Sequence, residues 1–289
     1  MSSQSRSFSM LHLALLFLIC LDIVAAYDCY PRKVAYTINV SNLPGAAINY
    51  TTVQAAINSI HEGNNQWIRV LVQPGVHMEQ VVVDKPCILL EGHSLSDTII
   101  VFDSHQQLNT SQTFYVKKAA KNFIAKSISF KDTIWDLSGH HYFFECHIEG
   151  QVDFICGNGQ SIYQNCIINV LGNGYITAQK REAEEETTGF VFNKGLVIGQ
   201  GSTYLGRAWG SHSCAIFHST SFNTFIVPQG WSAWFIGQKI AFFQSQTFFF
   251  FFFYLTPKNM TIQELQSFTQ LSYIDSESPR GWLSRQPID

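Results

Sequence analysis

The chain has 289 residues and a net charge of −3, with 13% charged and 14% aromatic residues. That length supports one large domain or two small ones around a sizeable core. No basic stripe runs along it, which argues against nucleic acid as a partner, while local clusters leave an acidic polymer open.

Residues 1–26 read as a secretory signal: Arg6 gives a positive start, Leu11 to Leu21 is an apolar run, and Val24-Ala25-Ala26 is a small-residue cleavage site. A membrane anchor is the weaker reading, because the apolar run is short and Asp22 interrupts its end. Secretion gives meaning to four glycan-acceptor triplets, starting at Asn39, Asn49, Asn109 and Asn259. Of seven cysteines, Cys20 leaves with the signal, so six remain in an oxidising compartment. Cys146, Cys156 and Cys166 are spaced by ten and ten, unlike any zinc pattern. Buried thiols or a structural disulfide are therefore expected, and no metal.

Within Thr52–Ile60, residues Val53, Ala56, Ile57 and Ile60 share one helical face, which predicts a short helix capping the amino-terminal end of a sheet structure. From Trp67 onward, short apolar runs alternate with turns. They are Ile68–Val72, Val81–Val83, Cys87–Leu90, Thr98–Phe102, Phe123–Phe130, Tyr142–Ile148, Val152–Cys156, Ser161–Ile168 and Gly189–Ile198. β-branched and aromatic residues dominate them, so they read as strands. Hairpin dipeptides separate few of them, and the strand–turn unit recurs at roughly 20–25 residues. Both features suit an all-β, single-stranded parallel β-helix, with a β-sandwich as the other possibility. Cys146 and Cys166 lie one period apart and are expected to stack on adjacent coils. Six phenylalanines, Phe248 to Phe253, fit neither a sheet alternation nor a membrane span. The chain reads as folded again over Phe268–Asp275 and Gly281–Leu283.

Gly150-Gln151-Val152-Asp153-Phe154-Ile155-Cys156-Gly157-Asn158-Gly159 sets one carboxylate inside an apolar run closed by a Gly-Asn-Gly turn. A charge there costs several kcal/mol unless it is paired or used. A second acid, Asp132, stands upstream in Phe130-Lys131-Asp132-Thr133-Ile134-Trp135, and Leu205-Gly206-Arg207-Ala208-Trp209 adds a cation and an aromatic downstream. Two acids, an arginine and a tryptophan point to an ester- or glycan-processing site.

At these residues the chain resembles the plant pectinesterases (pectin methylesterases). The likeness runs from about Val53 to Trp234 and resumes at Phe268–Trp282. It is carried by Thr52-Val-Gln-Ala-Ala-Ile57, Gly75-Val-His-Met-Glu79, Gly150–Gly157, Tyr175-Ile-Thr-Ala-Gln179, Leu205–Trp209 and Gly230-Trp-Ser-Ala-Trp234. The resemblance implies a secreted, cell-wall aspartyl esterase built as a right-handed parallel β-helix over residues 27–289. It would release methanol from methyl-esterified homogalacturonan as a monomer, without metal or cofactor. Asp153 would be the nucleophile, Asp132 the general acid/base, and Arg207 the cation that orients Asp153 and keeps it charged. Trp209 and Trp135 would meet the sugar; Trp231 and Trp234 are more often packing residues and are the weaker binding candidates. Two close acids cannot both ionise cheaply, so one carboxyl is expected to titrate above its reference of roughly 3.9.

The chain also departs from the family. Where the family has a Gln before the first acid, this chain has Lys131, a substitute donor to substrate. A second family Gln, on a preceding coil, has no counterpart, and about two coils are missing between Phe130 and Asp132, judged by the repeat. A catalytically impaired, pectin-binding relative is therefore the alternative expectation. A lyase would need calcium-binding acids and a basic catalytic residue, and a β-helix glycosidase adjacent paired acids. No such calcium-binding cluster is seen, and no Asp-Asp pair occurs.

Overall fold

Alternating apolar strands without hairpin turns can close a core only by winding, and in this computed structural model each strand pairs in parallel with one from the next coil. The structure describes residue 29 and residues 33–43, 48–102, 112–236, 238 and 262–275. The expected signal, the Asn109 and Asn259 triplets, the phenylalanine run and Gly281–Leu283 lie outside the described residues.

The coils form three faces. The first is an eight-stranded sheet of Tyr36–Val40, Ile68–Val72, Ile88–Gly92, Phe123–Lys126, His140–Phe144, Gln160–Gln164, Gly189–Asn193 and Ala215–His218. The second takes Gly75–Met78, Thr98–Val101 and Ser129–Lys131, the opening residues of three long strands, and Ser221–Ile226. Those long strands are His147–Gly157, Ile167–Gln179 and Leu196–Ala208. Their closing residues join Val81–Val83, Phe114–Val116, Ile134–Asp136 and Trp231–Ala233 as the third face. This is the parallel β-helix that the repeat predicts, and not a sandwich.

Four runs that read as single strands are each broken at one corner. Ser127, Glu145, Asn165 and Lys194 stand between the first and second faces at φ of 52°, 51°, 54° and 55°. One left-handed residue turns the chain there, and the strands on either side stay apolar because both face the same core. That core holds a file of rings on successive coils, Phe143, Tyr163, Phe192 and Phe217, with centroids 4.6, 4.7 and 4.3 Å apart.

The predicted capping helix spans Val53–Asn58, with Thr52 as N-cap accepting from the Ala55 amide. The Glu79 carboxylate accepts from the amides of Val53 and Gln54 at 2.8 and 2.9 Å, where the helix N-terminus favours negative charge. At the other end of the chain, a helix over Ile262–Thr269 and a 3-10 turn at Leu271–Tyr273 cover the outside of the first face. There Leu89, Ile124, Tyr142, Ile162, Val191 and Ile216 form an outward apolar ladder packed by Leu265, Tyr273 and Ile274. Cys29 and Cys87 form a disulfide, whereas Cys146, Cys156, Cys166 and Cys214 are free. Cys146 and Cys166 do lie on adjacent coils, just before the paired His147 and Ile167. Among the described residues no group of His, Cys, Asp or Glu gathers as a metal site, and no helix is long and apolar enough to cross a membrane.

Candidate active site

The period-2 alternation of a strand decides which third-face residues point outward. Phe114, Ile134 and Ile155 are paired and buried in the core, so their neighbours Tyr115, Trp135 and Cys156 project outward. The outward ladder continues through Ala178, Arg207 and Ser232. Its middle members, Cys156 and Ala178, are small, and Trp135 and Arg207 on either side of them are large. A cavity of about 290 Å³ opens over that step, lined by Asp153, Arg207, Trp135, Trp209 and Trp234 with Gln112, Thr133, Val152, Cys156 and Ala178.

Asp153 reaches the cavity from the corner between the second and third faces, where it adopts φ 52° and interrupts the register of its strand. Arg207 comes from two coils further on and meets it with a forked contact. Its Nε donates to Oδ1 and Oδ2 at 2.9 and 3.0 Å, and its Nη2 donates to Oδ2. The guanidinium is itself held between rings, 4.7 Å from the Tyr175 centroid and 4.1 Å from that of Trp234. Such a pair is strong and geometrically specific. Burial nonetheless pushes the Asp153 carboxyl above its usual range, against the opposing hydrogen bond and charge of Arg207. Arg207 is raised chiefly by its hydrogen bond to Asp153. The two perturbations differ because the carboxylate sits deeper than the guanidinium, so desolvation falls mainly on the acid.

Trp135 and Trp209 both line the cavity, with ring centroids 6.2 Å apart. Tyr115 stacks on Trp135 at 5.1 Å and Trp234 on Trp209 at 5.9 Å, which extends the aromatic wall in both directions. Trp234, one of the weaker binding candidates, is 38% exposed on that wall. Trp231 packs in the core against Phe217, as expected. Asp132 is exposed at φ 80° beside the cavity, which its neighbour Thr133 lines. Its amide donates to the Glu149 carbonyl at 2.8 Å, and Thr133 Oγ1 donates to its Oδ1 at 3.1 Å. Lys131 stands on the second face, round the corner from the cavity, with Nζ 3.6 Å from Glu149 Oε1.

The Pectinesterase family pattern matches residues 40–134 and 127–251. This chain belongs to the pectinesterase family. It is 35% identical over 296 residues to probable pectinesterase 29 of Arabidopsis thaliana, covering 83% of this chain and 87% of that one. That alignment is longer than the share of this chain within it, so the relative carries residues that this chain lacks. The two matched spans overlap at 127–134, the stretch in which the sequence passes from one coil's pattern to a later one's.

Solved pectin methylesterases share the fold. The carrot enzyme aligns with a TM-score of 0.61 at 23% identity, over 73% of this chain and 81% of its own. A pectin methylesterase in complex with a hexasaccharide aligns with a TM-score of 0.59 at 16% identity, over 85% and 99%.

Two features of this pectinesterase site went unread in the sequence. Asp136, which ends the Trp135 strand, is fully buried and takes His141 Nδ1 at 2.5 Å, Ser161 Oγ at 2.5 Å and Tyr163 OH at 2.9 Å. Its backbone carbonyl accepts from the Gly159 amide at 3.0 Å, which pins the turn that closes the Asp153 strand. A Cβ on Gly157, at φ 119°, would lie 2.1 Å from that carbonyl, so the turn requires glycine. Gln112 is the other, a buried amide on the cavity wall. A signal for it exists in the spacing, since Gln112, Asp132 and Asp153 each precede a paired core residue (Phe114, Ile134, Ile155) by two positions.

Proposed function

We propose that this chain is a pectin methylesterase, which hydrolyses methyl esters of polygalacturonate in the cell wall and releases methanol. The observation that carries this reading is the forked Asp153–Arg207 pair on an aromatic cavity wall in a chain of the pectinesterase family. The ring faces of Trp135, Trp209 and Trp234 suit the apolar faces of sugar rings. Ionised Asp153 attacks the ester carbonyl carbon, forming an acyl-enzyme through a tetrahedral intermediate. Asp132, protonated, gives its proton to the departing methoxide. As a carboxylate it then takes a proton from water, which attacks the acyl-enzyme and frees Asp153.

Support for that role of Asp132 is its register position, one coil from Asp153 and equivalent to it, and its carboxylate next to the cavity-lining Thr133. Lys131 enters this scheme only through Glu149, which it faces. No step calls on a metal or cofactor. The carboxylates left on the product favour calcium cross-links within pectin, with the ion bound by the polymer.

The reading includes removal of residues 1–26, secretion, N-glycosylation and a monomeric β-helix over residues 27–289 that lacks about two of the family's coils. The Cys29–Cys87 disulfide supports an oxidising compartment.

The secreted protein should release methanol from esterified pectin, and Asp153→Asn should abolish release while pectin binding persists. A folded parent that binds pectin and yields no methanol sinks the esterase reading.

A further inference from the structure

A pectin sugar that has lost its methyl ester carries a carboxylate, so a partly de-esterified stretch is anionic on both sides of a remaining ester. Reading those charges takes cations beside the cavity that are not already committed. Arg207 is engaged with Asp153, and Lys131 faces Glu149. Arg181 donates to the carbonyls of Ala183 and Glu184.

Lys117 and Lys180 remain. Val116 and Gln179 next to them are buried, so both lysines continue the outward parity of Tyr115 and Ala178. Lys117 Nζ lies 5.9 Å from the Tyr115 ring centroid, and Lys180 Nζ lies 4.7 Å from that of Trp209. Tyr115 stacks on Trp135, which meets Trp209, so three rings of the aromatic wall separate the two ammonium groups. Neither ammonium has an ion pair or a hydrogen bond among the described residues. Glu186, on the loop after Lys180, is held by Asn158 Nδ2 at 2.8 Å and by the amides of Glu182 and Ala183 at 3.2 Å. The other acids of that loop, Glu182, Glu184 and Glu185, are exposed and make no ion pair with Lys180.

Register sets the two lysines on opposite sides of the nucleophile. Lys117 follows Val116, which pairs with Asp136, and so lies two coils before the Asp153 strand. Lys180 follows Gln179, which pairs with Gly157, and lies one coil after it. Neighbouring coils are about 4.8 Å apart, so a glycan laid along the stack across the cavity passes both. A lysine ammonium is a compact point charge that suits a single carboxylate.

We propose that Lys117 and Lys180 are cationic subsites near the two ends of the aromatic wall, binding free galacturonate carboxylates on either side of the ester that Asp153 attacks. The inference rests on the esterase reading above and adds a charge pattern to its substrate: an ester flanked by free acids is preferred to one with neutral neighbours. No bond is made or broken at either lysine, and each offers an ammonium N–H to a carboxylate oxygen.

The test uses two oligogalacturonates of equal length with one central methyl ester, the neighbouring carboxyls being free in one and primary amides in the other. The readout is the ratio of kcat/KM for the acid-flanked to the amide-flanked ester, from methanol release at neutral pH, with each variant checked for folding by circular dichroism. The parent ratio should be about ten, and Lys117→Gln and Lys180→Gln should each lower it about two- to five-fold. The double substitution should bring it near one, and Lys117→Arg with Lys180→Arg should keep it. The change should fall in KM, because the bound carboxylates are the same in ground and transition states. Added salt should shrink the parent ratio. Lys194→Gln, which removes a charge at a corner away from the cavity, should leave it as in the parent. A parent ratio of one, a ratio that survives the double substitution, or an equal fall in Lys194→Gln overturns the proposal, while methanol release keeps the esterase reading standing. A fall confined to one lysine overturns the two-sided arrangement. Should the parent release no methanol, the esterase reading fails on its own, and calorimetry with the same two oligomers decides the subsites. The parent should bind the acid-flanked oligomer about ten times more tightly and the double variant should bind both alike; equal binding by the parent overturns the proposal.

Discussion

At the scale of single residues, Asp153, the proposed nucleophile, has surroundings that pull in two directions. Its carboxyl titrates above the ordinary 3.8, because desolvation outweighs the hydrogen bond and charge of Arg207. Attack requires the ionised form, so kcat/KM for methanol release should fall on the acid side with a limb above 3.8. Arg207→Lys gives up the fork and should move that limb higher; a limb at or below 3.8, or one unmoved by the substitution, contradicts the account. The same shift has a stability sign. The folded chain holds the Asp153 proton more tightly than the unfolded chain, so ionisation costs stability, and that cost grows from about pH 3.8 up through the raised folded value. Asp153, Arg207, Trp135 and Trp209 were legible in the sequence because each sits in a compact motif whose odd residue types resist a packing explanation. Gln112 was passed over, and Lys131 was expected to meet substrate although it stands on the second face, because strand parity and coil register decide what faces the cavity, and neither is a local property.

Among the elements, the corners explain where strand reading stopped short. Ser127, Glu145, Asn165 and Lys194 share a left-handed backbone but no side-chain chemistry, so no residue type marked the breaks. The helix Val53–Asn58 was legible because a face of apolar residues and an N-cap threonine are local signals. The Cys29–Cys87 bridge is the amino-terminal counterpart of that cap and spans 58 residues of sequence. Chain-entropy reasoning gives such a loop about 4 kcal/mol of stabilisation. Cys29→Ser with Cys87→Ser should therefore lower the urea midpoint substantially, as should reductant added to the parent. A midpoint that stays put in both would show that the bridge constrains little.

For the molecule as a whole, each coil touches only its neighbours, and stability accumulates along the stack. The ring file Phe143, Tyr163, Phe192 and Phe217 is the clearest case, since each ring packs on those before and after it. Phe192→Ala opens a gap in the middle of the file and should cost about 3–5 kcal/mol by equilibrium denaturation. A loss below about 1 kcal/mol would mean that the neighbouring rings close the space. The fold class was legible because coil spacing is written in the chain, whereas the order of faces emerges only when the long strands bend. Ile134 pairs cleanly with Phe114 on one side and Ile155 on the other, at the place where the family pattern is interrupted. Like a column of coins, the solenoid keeps its edges flush there. A stack that closes so evenly can shed or gain whole layers without unpairing the rest.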